Sequence, residues 1–131
     1  MLLTRECDYA IRVVRALADM ELKTAKMISD EEHISFAFVY KILRKLNQAG
    51  LVRIFRGVSG GYQLAKNPVE ISLFDIVSAI DEHLVISECL QEGHVCSRND
   101  DENTCLVQQE LKKIQTALIE MLQGERMSDV V

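Results

Sequence analysis

Apolar residues recur at helical spacing along most of the chain, and the pattern changes to a strand-like one in one short region and lapses in a longer one. From Thr4 to about Leu22, Tyr9, Val13, Leu17 and Met20 form one apolar stripe and Ile11, Val14 and Ala18 a second. A helix with two apolar faces is expected to be buried between other elements and to link two bodies. Thr24 is placed to cap a second helix from Ala25 to about Glu32. Ser35 is placed to cap a third that runs to Ala49, with Gly50 as its stop. The break at His33 and Ile34 gives helix, tight turn, helix. The period then shifts: Leu51 to Phe55 is rich in β-formers, Gly57, Gly60 and Gly61 mark a turn, and Tyr62 to Leu64 reads as a second strand.

Beyond Asn67-Pro68, Ser72 and Asp75 have the spacing of a capping box and open a helix to about Asp81. A stretch from about Leu84 to Asn103 has no periodicity, and a connection of that length suggests a functional or ligand-ordered segment. The last helix is expected from about Thr104 to Gln123, with Gly124 as its stop. On it, Val107, Leu111, Ile114, Leu118 and Met121 are spaced 4, 3, 4, 3. Such a narrow seam seeks a partner helix, here a second copy of the chain. The expected fold is mainly α: a winged helix-turn-helix with a two-stranded wing and a long C-terminal dimerisation helix. Residues 1–66 form the DNA-binding domain with the first helix, and residues 67–131 the cysteine loop and dimerisation region.

Charge sharpens this division. The net charge of −5 is unevenly spread, with 11 Lys and Arg against 7 Asp and Glu in residues 1–66, and 4 against 13 in residues 67–131. A basic first half suits a phosphate-contacting surface, while the acidic half keeps the rest of the molecule off DNA. There is no run of 18 apolar residues and no charged-then-apolar leader, so a cytoplasmic protein without a membrane partner is expected.

On the third helix, Val39, Ile42, Leu43 and Leu46 cluster on one side at 100° per residue. Ala37, Lys41, Arg44 and Gln48 occupy the other side, flanked by Tyr40 and Lys45. Lys and Arg can engage phosphates or guanine edges, Gln can pair with adenine, and a small Ala permits close approach. Arg56 stands at the glycine-rich hairpin tip, where it can reach a narrow minor groove.

Cys89, Cys96 and Cys105 are separated by six and eight residues, without the close pair of a zinc knuckle. In a reducing compartment they read as cluster ligands, zinc ligands or redox-active or incidental thiols rather than disulfides. No cysteine has a sequence-evident histidine and orienting carboxylate beside it, and no phosphate-binding glycine loop is present, so an enzyme is not expected.

Leu3-Thr4, Asp8-Tyr9-Ala10-Ile11-Arg12, Ile34-Ser35, Leu46, Gly50-Leu51-Val52, Arg56-Gly57 and Gly60-Gly61-Tyr62 with Leu64 together resemble the Rrf2 family of winged-helix transcription regulators. The resemblance implies a homodimer that binds a partly palindromic double-stranded operator as repressor or activator. It places Ser35, Ala37, Tyr40 and Lys41 at the base-contacting positions, with Arg56 as the minor-groove arginine. Tyr40 replaces an acidic residue of IscR-like members, so the resemblance carries over the docking mode but not the operator preference. The cysteine trio before the last helix is similar to the cluster-binding branch of IscR, NsrR and RirA type. IscR-like members carry a histidine where this chain has Gln108, a poor iron ligand, which disfavours a two-iron centre. Asp8 matches the aspartate that in NsrR-like members reaches the cluster from the other subunit, although it also fits a helix start. The resemblance thus implies a four-iron, four-sulfur cluster on Cys89, Cys96, Cys105 and the partner chain's Asp8, sensing nitric oxide, oxygen or iron supply. The alternative is a cluster-free regulator controlled by thiol oxidation or a partner protein. Cys7 reads as a packed thiol and His94 as a solvated loop histidine.

Overall fold

A computed structural model describes residues 3–97 and 105–131. The first helix, α1 (Arg5–Ala16), begins where Thr4 accepts a hydrogen bond from the Cys7 amide, and it carries Glu6 and Asp8 in its first turn. Acidic side chains there complement the helix dipole. The helix ends six residues before Leu22, a correction to the length expected from the apolar stripes. The Leu17 amide bonds the carbonyls of both Val13 and Val14, Met20 adopts φ +64°, and the Asp19 carboxylate accepts from the Glu21 amide. These turn interactions end the helix while Leu17 stays buried and Met20 packs against the core.

Helices α2 (Ala25–Glu32) and α3 (Phe36–Gln48) follow, with His33 left-handed at the break. Thr24 caps α2 by accepting from the Met27 amide, whereas Ser35 makes no side-chain cap bond. Gly50, at φ +77°, ends the α3 region with a conformation that costs a glycine little. Strands β1 (Val52–Phe55) and β2 (Gly61–Leu64) pair antiparallel, Val52 opposite Leu64 and Phe55 opposite Gly61. At the hairpin tip, a Cβ on Gly60 would fall 2.1 Å from the Phe55 carbonyl oxygen, so the tight return requires glycine. Strand β2 of this wing is tied to the segment just before α2 through reciprocal Lys23–Tyr62 backbone bonds of 2.9 and 2.7 Å.

Asn67 and Glu70 close a capping box on a 3₁₀ turn, Pro68–Glu70. Ser72 and Asp75 close a second one on α4 (Leu73–Ile80), as their spacing predicts. Ile76, Val77 and Ile80 of α4 join Val13 and Val14 of α1, Leu17 at its C-cap, and Val39, Leu43 and Leu46 of α3 in one core. That core therefore runs through residue 67 into the acidic half.

Helix α5 (Leu106–Gly124) begins with Cys105 at its N-cap; Thr104 lies outside the described residues. A short α6 (Met127–Val130), absent from the sequence expectations, folds back. The Met127 amide bonds the Ile71 carbonyl and the Leu73 amide bonds the Glu125 carbonyl, each at 2.9 Å, which delivers Met127 fully buried into the core. No helix among the described residues is long and apolar enough to cross a membrane.

Candidate nucleic-acid interface and cysteine loop

The third helix divides as its sequence demands. Val39, Ile42, Leu43 and Leu46 are fully buried, while Ser35, Ala37, Tyr40, Lys41, Arg44 and Gln48 are exposed. Burying four aliphatic side chains, each worth about 1.5–3 kcal/mol, fixes the rotation of α3 and turns the polar stripe outward. The stripe has two unlike flanks. Toward the wing, Tyr40 meets Phe36 edge-on at 4.8 Å between centroids and Tyr62 of β2 at 6.4 Å. Burial, reinforced by Tyr40, pushes the Tyr62 hydroxyl above its usual range. Tyr40, Lys41, Arg44, Ile54 and Tyr62 line an open cavity of 370 Å³ between helix and wing.

Toward α1, Phe38 meets Tyr9 at 5.6 Å, and the Glu6 carboxylate lies 2.9 Å from Lys45 Nζ and 3.3 Å from Lys41 Nζ. The Lys45 ammonium, assisted by Lys41, holds Glu6 below the usual carboxylate range against the opposing effect of partial burial. No ion pair engages Arg44 or Arg56 among the described residues. Arg56 stands exposed next to the wing tip. Glu6, Phe36, Phe38 and Tyr62 are parts of this surface that spacing did not reveal. Glu6 is one of seven acids in the basic half, and nothing local relates it to lysines 35 and 39 positions later.

Two ion-pair sets brace the helices behind the stripe. Arg15 forms a two-pronged pair with the buried Glu32, through Nε at 3.0 Å and through Nη2, and Glu32 raises the Arg15 guanidinium above its ordinary value. The nearly buried Lys23 ammonium pairs with Asp19 and Glu31, each at 3.0 Å, and donates to the Ala16 carbonyl. Burial alone would lower Lys23, but the two carboxylates hold it above its ordinary value. Together these pairs join α1, the following turn and α2.

The cysteine segment is docked onto α5. Cys89 lies in a 3₁₀ turn, Glu88–Leu90, where its Sγ is 3.3 Å from Ser87 Oγ. The Gln108 side-chain amide donates to the Cys89 carbonyl at 2.6 Å, and Gln115 Oε1 accepts from the Ile86 amide at 3.0 Å. Residues 108 and 115 are two helical turns apart on one face, so two glutamines grip successive parts of the loop. Cys89, His94, Gln108, Lys112 and Gln115 line a cavity of 340 Å³ there.

Cys89, Cys96 and Cys105 are half-buried, and none of them is in a disulfide. Among the described residues no three His, Cys, Asp or Glu side chains gather into a metal-binding group, so the trio does not converge within this protomer. Asp8 is exposed at the start of α1 and pairs with Arg12 at 3.0 Å. Cys7 is buried against the Thr4 hydroxyl, a packed thiol.

The Rrf2 family model, described as an iron-dependent transcriptional regulator, matches residues 3–131. Protein aau3 of Rhizobium meliloti is 34% identical over 134 residues, spanning 100% of this chain and 85% of that protein. The HTH-type transcriptional regulator NsrR of Shouchella clausii is 29% identical over 135 residues, spanning 100% and 89%. The structure of T. potens IscR superposes with a TM-score of 0.75 at 22% identity, covering 97% of this chain and 83% of that one. With its helix-turn-helix, its glycine-turned wing and a family match over nearly its whole length, the chain belongs to the Rrf2 family of DNA-binding transcriptional regulators, which are not enzymes.

Proposed function

We propose that the protein is a homodimeric regulator whose affinity for a double-stranded operator is set by an iron-sulfur cluster. The observation that carries this reading is the set of three half-buried thiols outside any disulfide, Cys89, Cys96 and Cys105, placed before and at the N-cap of α5. The donor chemistry fits, since soft thiolates favour iron-sulfur ligation and none is consumed in a disulfide. A four-iron, four-sulfur cluster suits the set better than a two-iron centre, because position 108 offers an amide rather than an imidazole. When bound, such a cluster supplies an iron site reactive toward nitric oxide or oxygen and dependent on iron supply. Asp8 of the partner subunit is the proposed fourth donor, its exposed carboxylate exchanging Arg12 for the metal.

The chain's own residues carry the response. Gln108 and Gln115 hold the cysteine loop to α5, so a change in the loop bears directly on the dimerisation helix. Asp8 lies on α1, which packs against α3 in the shared core. Ligation across the dimer favours one relative orientation of the winged helices, and an equilibrium shifts only by such differential affinity. In the favoured orientation Ser35, Ala37, Tyr40, Lys41 and Arg44 enter the major groove and Arg56 the minor groove.

Iron and acid-labile sulfide analysis of anaerobically prepared protein tests the cofactor. Cys89→Ala, Cys96→Ala and Cys105→Ala should each abolish stable loading, whereas Asp8→Ala should leave a cluster with altered spectra or lability, since water or a thiol can replace one oxygen ligand. Wild-type protein that holds zinc, or no metal, after reconstitution would sink the cluster reading. Zinc would favour a structural site; bare thiols would favour control by oxidation or a partner protein.

A further inference from the structure

A DNA-reading face is expected to leave its cations available, yet two lysines of this one are already engaged. Glu6 Oε1 lies 2.9 Å from Lys45 and 3.3 Å from Lys41, reaching them from the first turn of α1. The N-terminal dipole of α1 explains an acid in that turn, as it does for Asp8, but not its aim at two cations on another helix. The Glu6 side chain is 23% exposed, against 57% for Lys41 and 32% for Lys45. A half-sheltered carboxylate thus borders the groove-facing stripe, with the more accessible lysine on the longer pair.

We propose that Glu6 is a specificity-determining residue of the DNA-binding surface: by occupying Lys41 and Lys45, its carboxylate lowers affinity for unrelated duplex more than affinity for the operator. The inference rests on the DNA-reading role assigned to α3. Non-specific binding draws on phosphate contacts and counterion release, so each lysine held by a carboxylate is one fewer cation for the backbone. A phosphate approaching the stripe also meets the Glu6 charge itself. At the operator, Lys41 turns to a base edge while Glu6 keeps Lys45, its closer partner, and the base contacts offset the weaker pair. The carboxylate is ionised throughout the neutral range because both lysines favour its charged form.

The test compares full-length wild type, Glu6→Gln and Glu6→Asp on two probes. One is a duplex selected by the wild-type protein from a random-sequence pool; the other is unselected duplex of equal length. Glu6→Gln keeps size and polarity but removes the charge. It should bind unselected duplex several-fold tighter, up to about tenfold, with a salt slope steeper by about 0.9 for each lysine that reaches a phosphate. Operator affinity should change less, so the ratio of the two affinities falls, and Glu6→Asp, one methylene shorter, should lie between. Unchanged affinity and salt slope on unselected duplex would overturn the proposal. Weaker binding to both duplexes would also overturn it, showing that Glu6 only braces α3 against α1. A wild-type protein that selects and binds no duplex would overturn the DNA-reading role of α3 together with this inference.

Discussion

Helices α3 and α5 each present a line of aliphatic residues at helical spacing, but their surroundings differ. Val39, Ile42, Leu43 and Leu46 of α3 are fully buried within the protomer, whereas Val107, Ile114 and Met121 of α5 are 66%, 57% and 71% exposed. Leu111 and Leu118 are half-buried, and Leu122 is the one buried residue assigned to α5. The same periodicity therefore has two outcomes. On α3 it meets α1, α4 and β1 of its own chain, so the orientation of the exposed polar stripe is a property of one protomer. On α5 it leaves an apolar seam uncovered within the protomer, as a helix that pairs with a second copy would require.

The sharpest way to break this contrast is to charge the seam. If α5 joins two copies as proposed, Leu111→Lys combined with Ile114→Lys should leave monomer or unfolded chain, because two ammonium groups would be buried without partners. Sedimentation velocity with circular dichroism reads the outcome. A folded dimer that survives both substitutions would show that another surface joins the subunits.

A smaller effect is expected on the side where the contrast predicts a finished surface. Lys41→Ala and Arg56→Ala should leave the fold, the oligomeric state and the thermal midpoint unchanged while weakening operator binding, by about 1–3 kcal/mol for each base edge that the truncated side chain no longer reaches. Titration at fixed salt checks this. Affinity unchanged in both variants would remove the α3 stripe and the wing tip from the interface.

The contrast also explains what was readable from residues alone. Thr24, His33 and the 100° clustering of Val39, Ile42, Leu43 and Leu46 acted locally, and α2 and the exposed face of α3 follow from them. The glycines after Phe55 likewise mark the wing, since a tight hairpin tip needs them at any position in a fold. The end of α1 was not readable, because its apolar stripe continues to Met20 while a turn built from Asp19 and left-handed backbone ends the helix. Nor was the return of Met127 to the core, which depends on backbone pairing with residues 71–73 far earlier in the chain. Glu6 with Lys41 and Lys45, and the glutamine grip on the cysteine loop, are tertiary pairings between residues whose separate sequence contexts announce nothing.

The smallest expected effect concerns the joint between the two regions. Ser72 is buried, accepts from the Asp75 amide at 3.0 Å, and receives the Asp75 carboxylate on its own amide at 2.9 Å, closing the box that starts α4. Its neighbours on either side pair with Glu125 and Met127, so the same three residues start α4 and receive the chain end beyond α5. Ser72→Ala removes the cap oxygen, leaves the Asp75 amide without its acceptor, and should cost about 1 kcal/mol in denaturant unfolding. If α4 is part of the α3 core, as its buried Ile76 and Val77 require, that loss should appear in one cooperative transition shared with the wing. A separate early transition confined to the C-terminal region would instead show that α4 and α5 unfold as their own unit, and the division between a finished half and an unfinished one would fall before α4 rather than after it.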